Sequence, residues 1–391
     1  MKMEKYRKYT STFYANSKLH VVTREKLQTE LVKIAMAITE FGPSPNTIAK
    51  IIGQKKETVR YRYNTFILKR GMMVQAIPNY QRLGFERAVA LVTLKPPFSD
   101  RPQQVVNTLN ATAYATGYER VFLEDRYLLY FAMPSNHITT LTSFLEKLQR
   151  AGVLELHDIM RYPASRSNPM KAEYYDFLKQ NWSFDLLHHK TKPEPWDQPA
   201  EVQEVDNTDL LVLKELMIDA NTPLTEISSK LGINYEKLVW HYNKHVKANR
   251  LIATHRIGWM MAQYHEATEK TTMRLHRYLP IAMFIDDISK RGAGALIESI
   301  ESLPFLYFEA CGSGYYGLLY VPHELYIDVL KRLTPMMAKC QEATQRLLDY
   351  SSAGQFTFSY QLFDQESKSW VFNHELALES VLKVASKARA R

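Results

Sequence analysis

The stretch Ile48–Met73, IAKIIGQKKETVRYRYNTFILKRGMM, decides the fold because the chain carries a second copy of its pattern. The second copy is Ile227–Ile252, ISSKLGINYEKLVWHYNKHVKANRLI, and the two align from end to end without a gap. Gly53 aligns with a glycine and Tyr63 with a tyrosine. Internal similarity at a fixed spacing indicates a duplicated structural unit. We therefore expect two similar halves in one chain.

The first copy has the features of the end of a three-helix unit. Apolar residues recur at helical spacing over about 24–39, and Ser44 or Asn46 can cap a short second helix. Gly53 suits the turn into a third helix over 56–70. After Gly71 the residues alternate as in a strand. This order predicts a helix-turn-helix followed by a wing.

The third helix has one apolar side and one polar, basic side. At about 100° per residue, Val59, Tyr63 and Ile67 fall on the side that faces the domain. The opposite side resembles what a helix in the major groove of DNA needs, with groups for base edges and cations for phosphates. A solvated amphipathic helix is the alternative. The candidate DNA-binding residues are Lys55, Lys56, Thr58, Arg60, Tyr61, Arg62, Asn64 and Thr65.

The corresponding helix of the second copy, over 235–249, is less basic. Trp240 is expected to face outward, where it would contact either DNA or a protein. His241 and His245 are four positions apart and share a helix face, a spacing that suits metal ligands. No third ligand is visible in the sequence, so we expect no metal site. The candidate DNA-binding residues of this copy are Lys237, Trp240, His241 and Lys244.

Both copies precede the same order of predicted elements. In the first half the order runs from a strand in FERAVALVTLK (85–95) to a strand in VLELHDIMRY (153–162). In the second half it runs from PIAMFIDDI (280–288) through a long helix over 323–348 to a strand in QFTFSYQLF (355–363). Each order is β-α-β-β-α-β, which is ferredoxin-like. The predicted fold class is α+β, with two winged helix-turn-helix modules each followed by a ferredoxin-like (RAM/ACT-like) domain.

These patterns predict six segments along the chain. The proline-rich, polar stretch KTKPEPWDQPAE (190–201) marks a linker, although the aromatic stretch before it, YYDFLKQNWSFDLL (174–187), is expected to pack on a domain surface. The expected segments are 1–80, an N-terminal arm and winged helix-turn-helix; 81–163, a ferredoxin-like domain; 164–206, the linker; 207–260, the second winged helix-turn-helix; 261–364, the second ferredoxin-like domain; and 365–391, a helix with a basic tail.

Composition narrows the class of protein. The 391 residues carry a formal charge of +9 and a pI of about 9.2, which favours an anionic partner such as nucleic acid. Two cysteines cannot form a disulfide framework. The first residues contain no apolar signal-peptide core, and no apolar run is long enough to span a bilayer. We therefore expect a soluble cytoplasmic protein without a membrane partner.

The stretches AKIIGQKKETVRYRYNTF (49–66) and MVQAIPNYQRLGFERAVALV (73–92) resemble the Lrp/AsnC family of transcription regulators, notably its archaeal members. The second-half stretch LGINYEKLVWHYNKHVKANRLI (231–252) is an equally good match. The resemblance implies a DNA-binding transcription regulator for double-stranded DNA. It also implies paired ferredoxin-like domains, either as a pseudo-dimer within one chain or as a homodimer.

The family resemblance further implies a small-molecule effector near a glycine-rich hairpin, which CGSGYYGLLY (311–320) matches in part. A tight hairpin turn without a ligand is the alternative. The candidate effector-binding residues are Gly312, Gly314, Tyr315 and Tyr316.

Two other functions compete with a sequence-specific regulator. One is an architectural, chromatin-like DNA-binding protein, which would show a small specificity ratio. The other is an enzyme, because siroheme decarboxylases resemble the Lrp/AsnC architecture and use the chamber between ferredoxin-like modules. The first wing carries no paired histidine and arginine motif, although His255, Arg256, His265 and His276 lie near the second. No P-loop, dinucleotide motif or nucleophile elbow is present. We therefore expect no enzyme, no catalytic residue and no cofactor.

Overall fold

A computed structural model describes residues 23–186, 200–259, 264–265, 270–271 and 277–389. It is a mixed α+β structure with a large antiparallel sheet, so the α+β part of the predicted fold class is confirmed. The predicted N-terminal arm and His276 lie outside the described residues. Within the described part of the chain, no helix is both long and apolar enough to cross a membrane.

The first helical module consists of α1 (23–41), α2 (Pro45–Ile52) and α3 (Lys56–Phe66). Ser44 caps α2 by accepting from the backbone N–H of Thr47, as the sequence predicts. Gly53 ends α2 in the left-handed region, at φ 65°, where a glycine avoids steric strain. The three helices enclose an apolar core, and its fully buried members include Leu31, Ile34, Ile38, Ile48 and Val59.

The first sheet module follows β1 (Met73–Pro78), and its elements have the predicted order. The strands alternate or run apolar as expected for a sheet that is covered on its helical side. The elements are β2 (Phe85–Leu94), α4 (Pro102–Ala113), β3 (Ala115–Val121), β4 (Tyr127–Pro134), α5 (Ser135–Ile138), α6 (Leu141–Arg150) and β5 (Leu154–Tyr162).

The predicted linker, 164–206, is partly structured. It begins with β6 (Ala164–Ser167), a strand of the main sheet, so the prediction of a plain linker there is wrong. In the aromatic stretch, Trp182 is buried with its ring edge-on to those of Trp259 and Phe305. Hydrogen bonding also holds this stretch, since Gln28 Nε2 donates to the backbone oxygen of Tyr175. Aromatic burial of this kind outweighs the polar composition of the neighbouring residues.

The second helical module repeats the first, with α7 (Asn207–Ile218), α8 (Leu224–Leu231) and α9 (Tyr235–His241). Gly232 ends α8 at φ 64°, as Gly53 ends α2. The predicted helix over 235–249 departs from α-helical geometry, because a π-helical turn, Tyr242–Lys247, follows α9. Such wide turns are uncommon and often occur at functional sites.

The strands predicted as wings pair with each other across the two halves. β1 runs antiparallel to β7 (Ile252–Gly258) in a two-stranded sheet to which each half gives one strand. Ala76 lies opposite His255, and Gln75 lies opposite Arg256. Each wing strand offers its edge to the other, which satisfies backbone groups that an isolated strand would leave to solvent.

The second sheet module contains β8 (Tyr278–Ile285), α10 (Ala293–Glu301), β9 (Leu306–Cys311), β10 (Tyr315–Pro322), α11 (Tyr326–Met337) and β11 (Ala343–Gln355). The predicted helix over 323–348 is therefore too long, and the predicted last strand starts too late. Leu347 pairs with Ile281 of β8 while Leu348 pairs with Val121 of β3. Pairing on both sides outweighs the local helical periodicity of this segment.

The main sheet closes on itself. Its strand order is β5-β2-β4-β3-β11-β8-β10-β9-β6, and β5 and β6, at its two ends, are consecutive in the chain around Pro163. Arg166 on β6 stabilises the contact between β6 and the second half, since its guanidinium binds Glu309 at 2.5 Å and Glu301 at 3.0 Å. Burial, together with the charge of Glu309, raises the pKa of Glu301 to about 7. The closed sheet thus joins both halves around one interior.

The C-terminal helix α12 (His374–Arg389) lies against α4 and α6. It buries Ala377 and Val381, and Lys147 of α6 binds Glu375 at 2.6 Å. The predicted C-terminal helix is present, and the last two residues of the predicted basic tail lie outside the described residues.

Candidate active site

A cavity of about 240 Å³ lies between the two halves, where the closed sheet meets the β1–β7 sheet. Its lining combines apolar and aromatic walls with a few polar groups, the usual composition of a small-molecule site. Both halves contribute. The polar and charged groups around it include Arg87, Thr116, Glu119, Tyr130, Ser167, Arg256, Tyr307, Tyr320 and Gln355.

Two arginines border this cavity, each packed on aromatic rings. The Arg87 guanidinium lies 4.3 Å from the ring centre of Tyr80 and 5.0 Å from that of Phe308. The Arg256 guanidinium lies 3.6 Å from the ring centre of Tyr307, and the residue is 3% exposed. The buried Nη1 of Arg87 and Nε of Arg256 have no hydrogen-bond partner among the described residues.

This arrangement favours an anionic ligand. Cation–π contacts stabilise a guanidinium only in part, and a buried charge without an opposite charge or a full set of hydrogen bonds is costly. A carboxylate accepts from planar guanidinium groups in charge-assisted hydrogen bonds, which are stronger than neutral ones. The cavity therefore suits a molecule with a carboxylate and an apolar or aromatic body.

Glu119 is the acid of the cavity. It lies on β3, is 5% exposed, and accepts hydrogen bonds from Tyr130 at 2.5 Å and Tyr320 at 3.0 Å. Burial raises the pKa of Glu119 above its usual range, although the two tyrosine hydroxyls partly oppose the shift. Tyr130 in turn lies 2.9 Å from the hydroxyl of Tyr316. Glu119 thus retains its proton to a higher pH than an exposed glutamate, and it can act as a general acid.

The predicted DNA-binding residues of the first half lie on the outer side of α3. Tyr61 is 65% exposed, Thr58 and Thr65 are half-buried, and the remaining side chains apart from Arg62 are exposed. Arg62 bonds Glu30 at 2.6 Å and Gln54 at 2.7 Å. Its guanidinium is therefore held by its own module. The exposed residues of the set are Lys55, Lys56, Arg60, Tyr61 and Asn64.

In the second half, the predicted DNA-binding residues divide into two kinds. Lys237 and Lys244 are exposed, and Trp240 is 51% exposed, as expected. His241 is 4% exposed, and its Nδ1 lies 2.9 Å from Asp209 Oδ1. The assignment of His241 to DNA contact is wrong for this conformation, because the ring faces the interior of its own module.

The predicted effector-binding hairpin is a packing feature. Tyr315 and Tyr316 are fully buried, and Tyr315 donates to Glu309 at 3.0 Å. A Cβ on Gly314 would lie 2.7 Å from the backbone oxygen of Ile285, and one on Gly312 would lie 2.9 Å from Pro163. The two glycines thus permit close backbone approach. None of these four residues lines the 240 Å³ cavity, so the structure does not favour an effector at this hairpin.

Most of the residues that line the cavity cannot be recognised from the sequence. Arg256 can be singled out because it lies near the second wing, whereas no sequence pattern singles out Arg87 or Glu119. The available signal is a charged residue within an otherwise apolar strand, as in FERAVALVTLK and YERVFLE. That signal does not tell which strands come together.

Comparisons with known proteins find a match in structure alone. No family model matches the chain, and no curated protein matches it in sequence. The crystal structure of the siroheme decarboxylase NirDL superposes with a TM-score of 0.50 at 10% identity, covering 90% of this chain and 98% of that one. Its fold is that of an enzyme. The expectation that the chain is not an enzyme is therefore wrong. That expectation rested on an architecture that resembles transcription regulators, and the enzyme NirDL shares this architecture.

A second structure of NirDL, in complex with an iron-uroporphyrin III analogue, has a TM-score of 0.47 at 9% identity and covers 94% of this chain and 99% of that one. The likeness in fold rests on the first of the two structures, and there it extends over nearly the whole length of both chains.

Proposed function

We propose that this chain is an enzyme that decarboxylates a carboxylate-bearing tetrapyrrole, with siroheme as the first substrate to test. The observation that carries the proposal is the pair Arg87 and Arg256, whose guanidinium groups border one cavity and each retain a buried nitrogen atom without a partner among the described residues. The fold shared with NirDL supports the same reaction class. At about 240 Å³ the cavity takes the carboxylate arm and the adjoining ring edge rather than a whole macrocycle.

The residues of the cavity have distinct roles in this proposal. The two arginines bind carboxylates of the substrate and orient it, while Tyr80, Tyr307 and Phe308 exclude water from the bound arm. In the reaction the bond between the substrate carbon and the carboxylate breaks, and its electron pair stays on that carbon as carbon dioxide leaves. The carbon then takes a proton. Glu119 is the proton donor, because burial raises its pKa and the hydroxyls of Tyr130 and Tyr320 orient it.

The test is turnover of siroheme by the full chain, followed by mass spectrometry for the loss of carbon dioxide. Arg256→Gln should lower kcat/KM about 100-fold, in the range found when one charge-stabilising donor is lost from an active site. Glu119→Gln should bind siroheme with little change and lose turnover. Arg161→Gln is the matched control, because this arginine is exposed and does not line the cavity. Absence of turnover by the wild type, or equal effects of Arg256→Gln and Arg161→Gln, would contradict the proposal.

A second function, DNA binding through α3, is favoured by the row of exposed cations and polar groups on that helix. Arg60→Ala should weaken binding to duplex DNA and reduce the salt dependence by about one phosphate contact. Arg62→Ala should instead lower stability, because Arg62 is paired with Glu30. Titration with DNA at two salt concentrations measures the binding, and urea denaturation measures the stability. If Arg60→Ala binds like the wild type, α3 is not the DNA-binding surface. A small ratio of specific to random binding would favour the architectural alternative over a sequence-specific regulator.

We also propose the finer division of the chain predicted from its sequence. In this division each helical module is a helix-turn-helix, with the β1–β7 sheet as a shared wing, and each sheet module is ferredoxin-like. The order of the elements and the pairing of β3 with β11 support it, since that pairing joins the halves as a pseudo-dimer within one chain.

A further inference from the structure

We propose that the second helical module binds one divalent transition-metal ion, with Zn²⁺ as the best match, through Asp206, Asp209, His241 and His245. These residues each offer a ligand atom, and the four atoms all lie within 4.8 Å of one another. The cluster is separate from the cavity between the halves, none of whose lining residues belongs to it.

Two elements bring the ligands together. Asp206 and Asp209 lie at the start of α7, where they form a capping box, and the histidines come from α9 and the π-helical turn. The capping box orients both carboxylates. Asp206 N donates to Asp209 Oδ2 at 3.1 Å, and Asp209 N donates to Asp206 Oδ1 at 3.0 Å. Hydrogen bonds of this kind position metal ligands before a metal binds.

The spacing of the ligand atoms fits a tetrahedral ion. His241 Nδ1 is 2.9 Å from Asp209 Oδ1 and 3.5 Å from Asp206 Oδ2, and His245 Nδ1 is 2.9 Å from Asp209 Oδ2. Four ligands at roughly 2.0–2.1 Å from a zinc ion are separated by roughly 3.4 Å. These three pairs lie within about 0.5 Å of that spacing, whereas the widest pair of ligand atoms, up to 4.8 Å apart, has to close by about 1.4 Å when the metal binds. Two imidazoles and two carboxylates are ligands that Zn²⁺ accepts.

In the first helical module, an arginine occupies the position that is equivalent to the proposed metal site. When the alignment of the two copies is extended, Glu30 corresponds to Asp209 and Arg62 to His241. In the first module the Arg62 guanidinium binds the Glu30 carboxylate at 2.6 Å and supplies a permanent positive charge. In the second module the acid is fully buried, but the arginine is replaced by a histidine. A buried carboxylate is stabilised by an opposite charge, and a metal ion would supply it.

A further difference between the modules adds a ligand. His245 corresponds to Phe66 in the same alignment. The His241 and His245 ring centres are 5.1 Å apart, and both rings turn toward Asp209. Within the described residues, the second module thus has a complete set of four donors where the first has an ion pair beside a phenylalanine.

The test is binding of Zn²⁺ to the untagged full chain, by isothermal titration calorimetry after chelator treatment. One Zn²⁺ per chain is expected, and Co²⁺ in its place should give the visible absorption of a tetrahedral site. His245→Asn should weaken binding at least tenfold, because an asparagine can still donate to Asp209 but is a poor zinc ligand. His323→Asn, at an exposed histidine, is the matched control.

A second variant keeps the test decisive if a single substitution unfolds the module. Asp209→Glu, His241→Arg and His245→Phe together rebuild the arrangement of the first module, which is stable with its own ion pair. This triple variant should fold, by circular dichroism, and lose Zn²⁺ binding. Zn²⁺ binding that survives in the folded triple variant, or a wild type that binds none, would overturn the proposal and leave a hydrogen-bonded Asp–His cluster.

Trp240 offers an independent measurement. Its ring centre lies 4.7 Å from that of His245, so Cu²⁺ at the cluster should quench its fluorescence. In Trp240→Phe this quenching should disappear while Zn²⁺ binding by calorimetry remains. Quenching of equal depth in Trp240→Phe would place the bound metal elsewhere and contradict the assignment.

Discussion

The two helical modules have matching helices but different polar interactions. α2 and α8 begin and end at equivalent positions of the repeat, and Leu31 and its counterpart Leu210 are both fully buried. Between the first and third helices, however, one module has a partly exposed ion pair and the other a buried acid with two histidines. The shared apolar positions and turn glycine are therefore sufficient to keep the helices in place. The polar positions between the first and third helices can therefore differ, as an ion pair in one module and an Asp–His cluster in the other.

The largest expected effect comes from removing the acid in each module. Asp209→Ala should lower the free energy of unfolding by about 3 kcal/mol, because it removes a fully buried carboxylate from two histidines and from its capping box. Glu30→Ala should cost about 1 kcal/mol, since the Glu30–Arg62 pair is partly exposed and Gln54 still binds Arg62. Urea denaturation of both variants with a chelator present measures the difference. Equal losses would show that the two pairs stabilise their modules alike.

The next effect concerns the opposed pair Ala76 and His255 in the β1–β7 sheet. Burial lowers the pKa of His255 to about 4. The unfolded chain takes up the proton below about pH 6.5, whereas the folded chain does so only near pH 4, so stability is present above pH 6.5 and falls as the pH drops toward 4. The wild type should lose about 2–3 kcal/mol over this window.

His255→Gln should remove most of this loss, and His323→Gln, at an exposed histidine, should not. Denaturation midpoints at pH 7, 5.5 and 4.5 provide the measurement. A wild-type profile that coincides with that of His255→Gln would mean that folding does not lower the pKa of His255.

The smallest effect concerns the ends of the third helices. Gly71 has φ 78°, and the residue at the equivalent position, Arg250, has φ 52°. A left-handed conformation costs a residue with a Cβ about 1 kcal/mol. Arg250→Gly should therefore raise the free energy of unfolding by about 1 kcal/mol, and Gly71→Arg should lower it by a similar amount. Opposite shifts in the thermal midpoint would bear this out; shifts of the same sign would mean that the arginine side chain, rather than the backbone, determines stability there.

The sequence was sufficient for the repeated part of the fold. Apolar spacing, Ser44 and Gly53 are local signals, and they located the short second helix and its turn. The strand β11 could not be found in the same way, because Leu347 and Leu348 are held by partners in both halves. Pairing between strands that lie so far apart in the chain has no local signature, and the helical spacing of 323–348 concealed it.

The two candidate sites illustrate the same limit. Arg87, Glu119 and Arg256 meet only after the sheet has closed, so no spacing in the sequence connects them. The histidine pair at 241 and 245 was visible, but Asp209 is 32 positions away from His241 and belongs to another helix. The repeat contains the signal that connects them, because it aligns Asp209 with the acid Glu30 and His241 with the basic residue Arg62.

The pairing of β1 with β7 within one chain has a consequence for how such a protein can change. In a symmetric homodimer every substitution occurs twice, once in each subunit, and the equivalent strands must remain identical. Here equivalent positions of the repeat carry unlike residues: Ala76 lies opposite its counterpart His255, and Ile77 stands where the second half has Arg256. A single substitution can therefore place one cation at the interior without placing a second beside it. Covalent fusion thereby frees each half to specialise while the other preserves the scaffold.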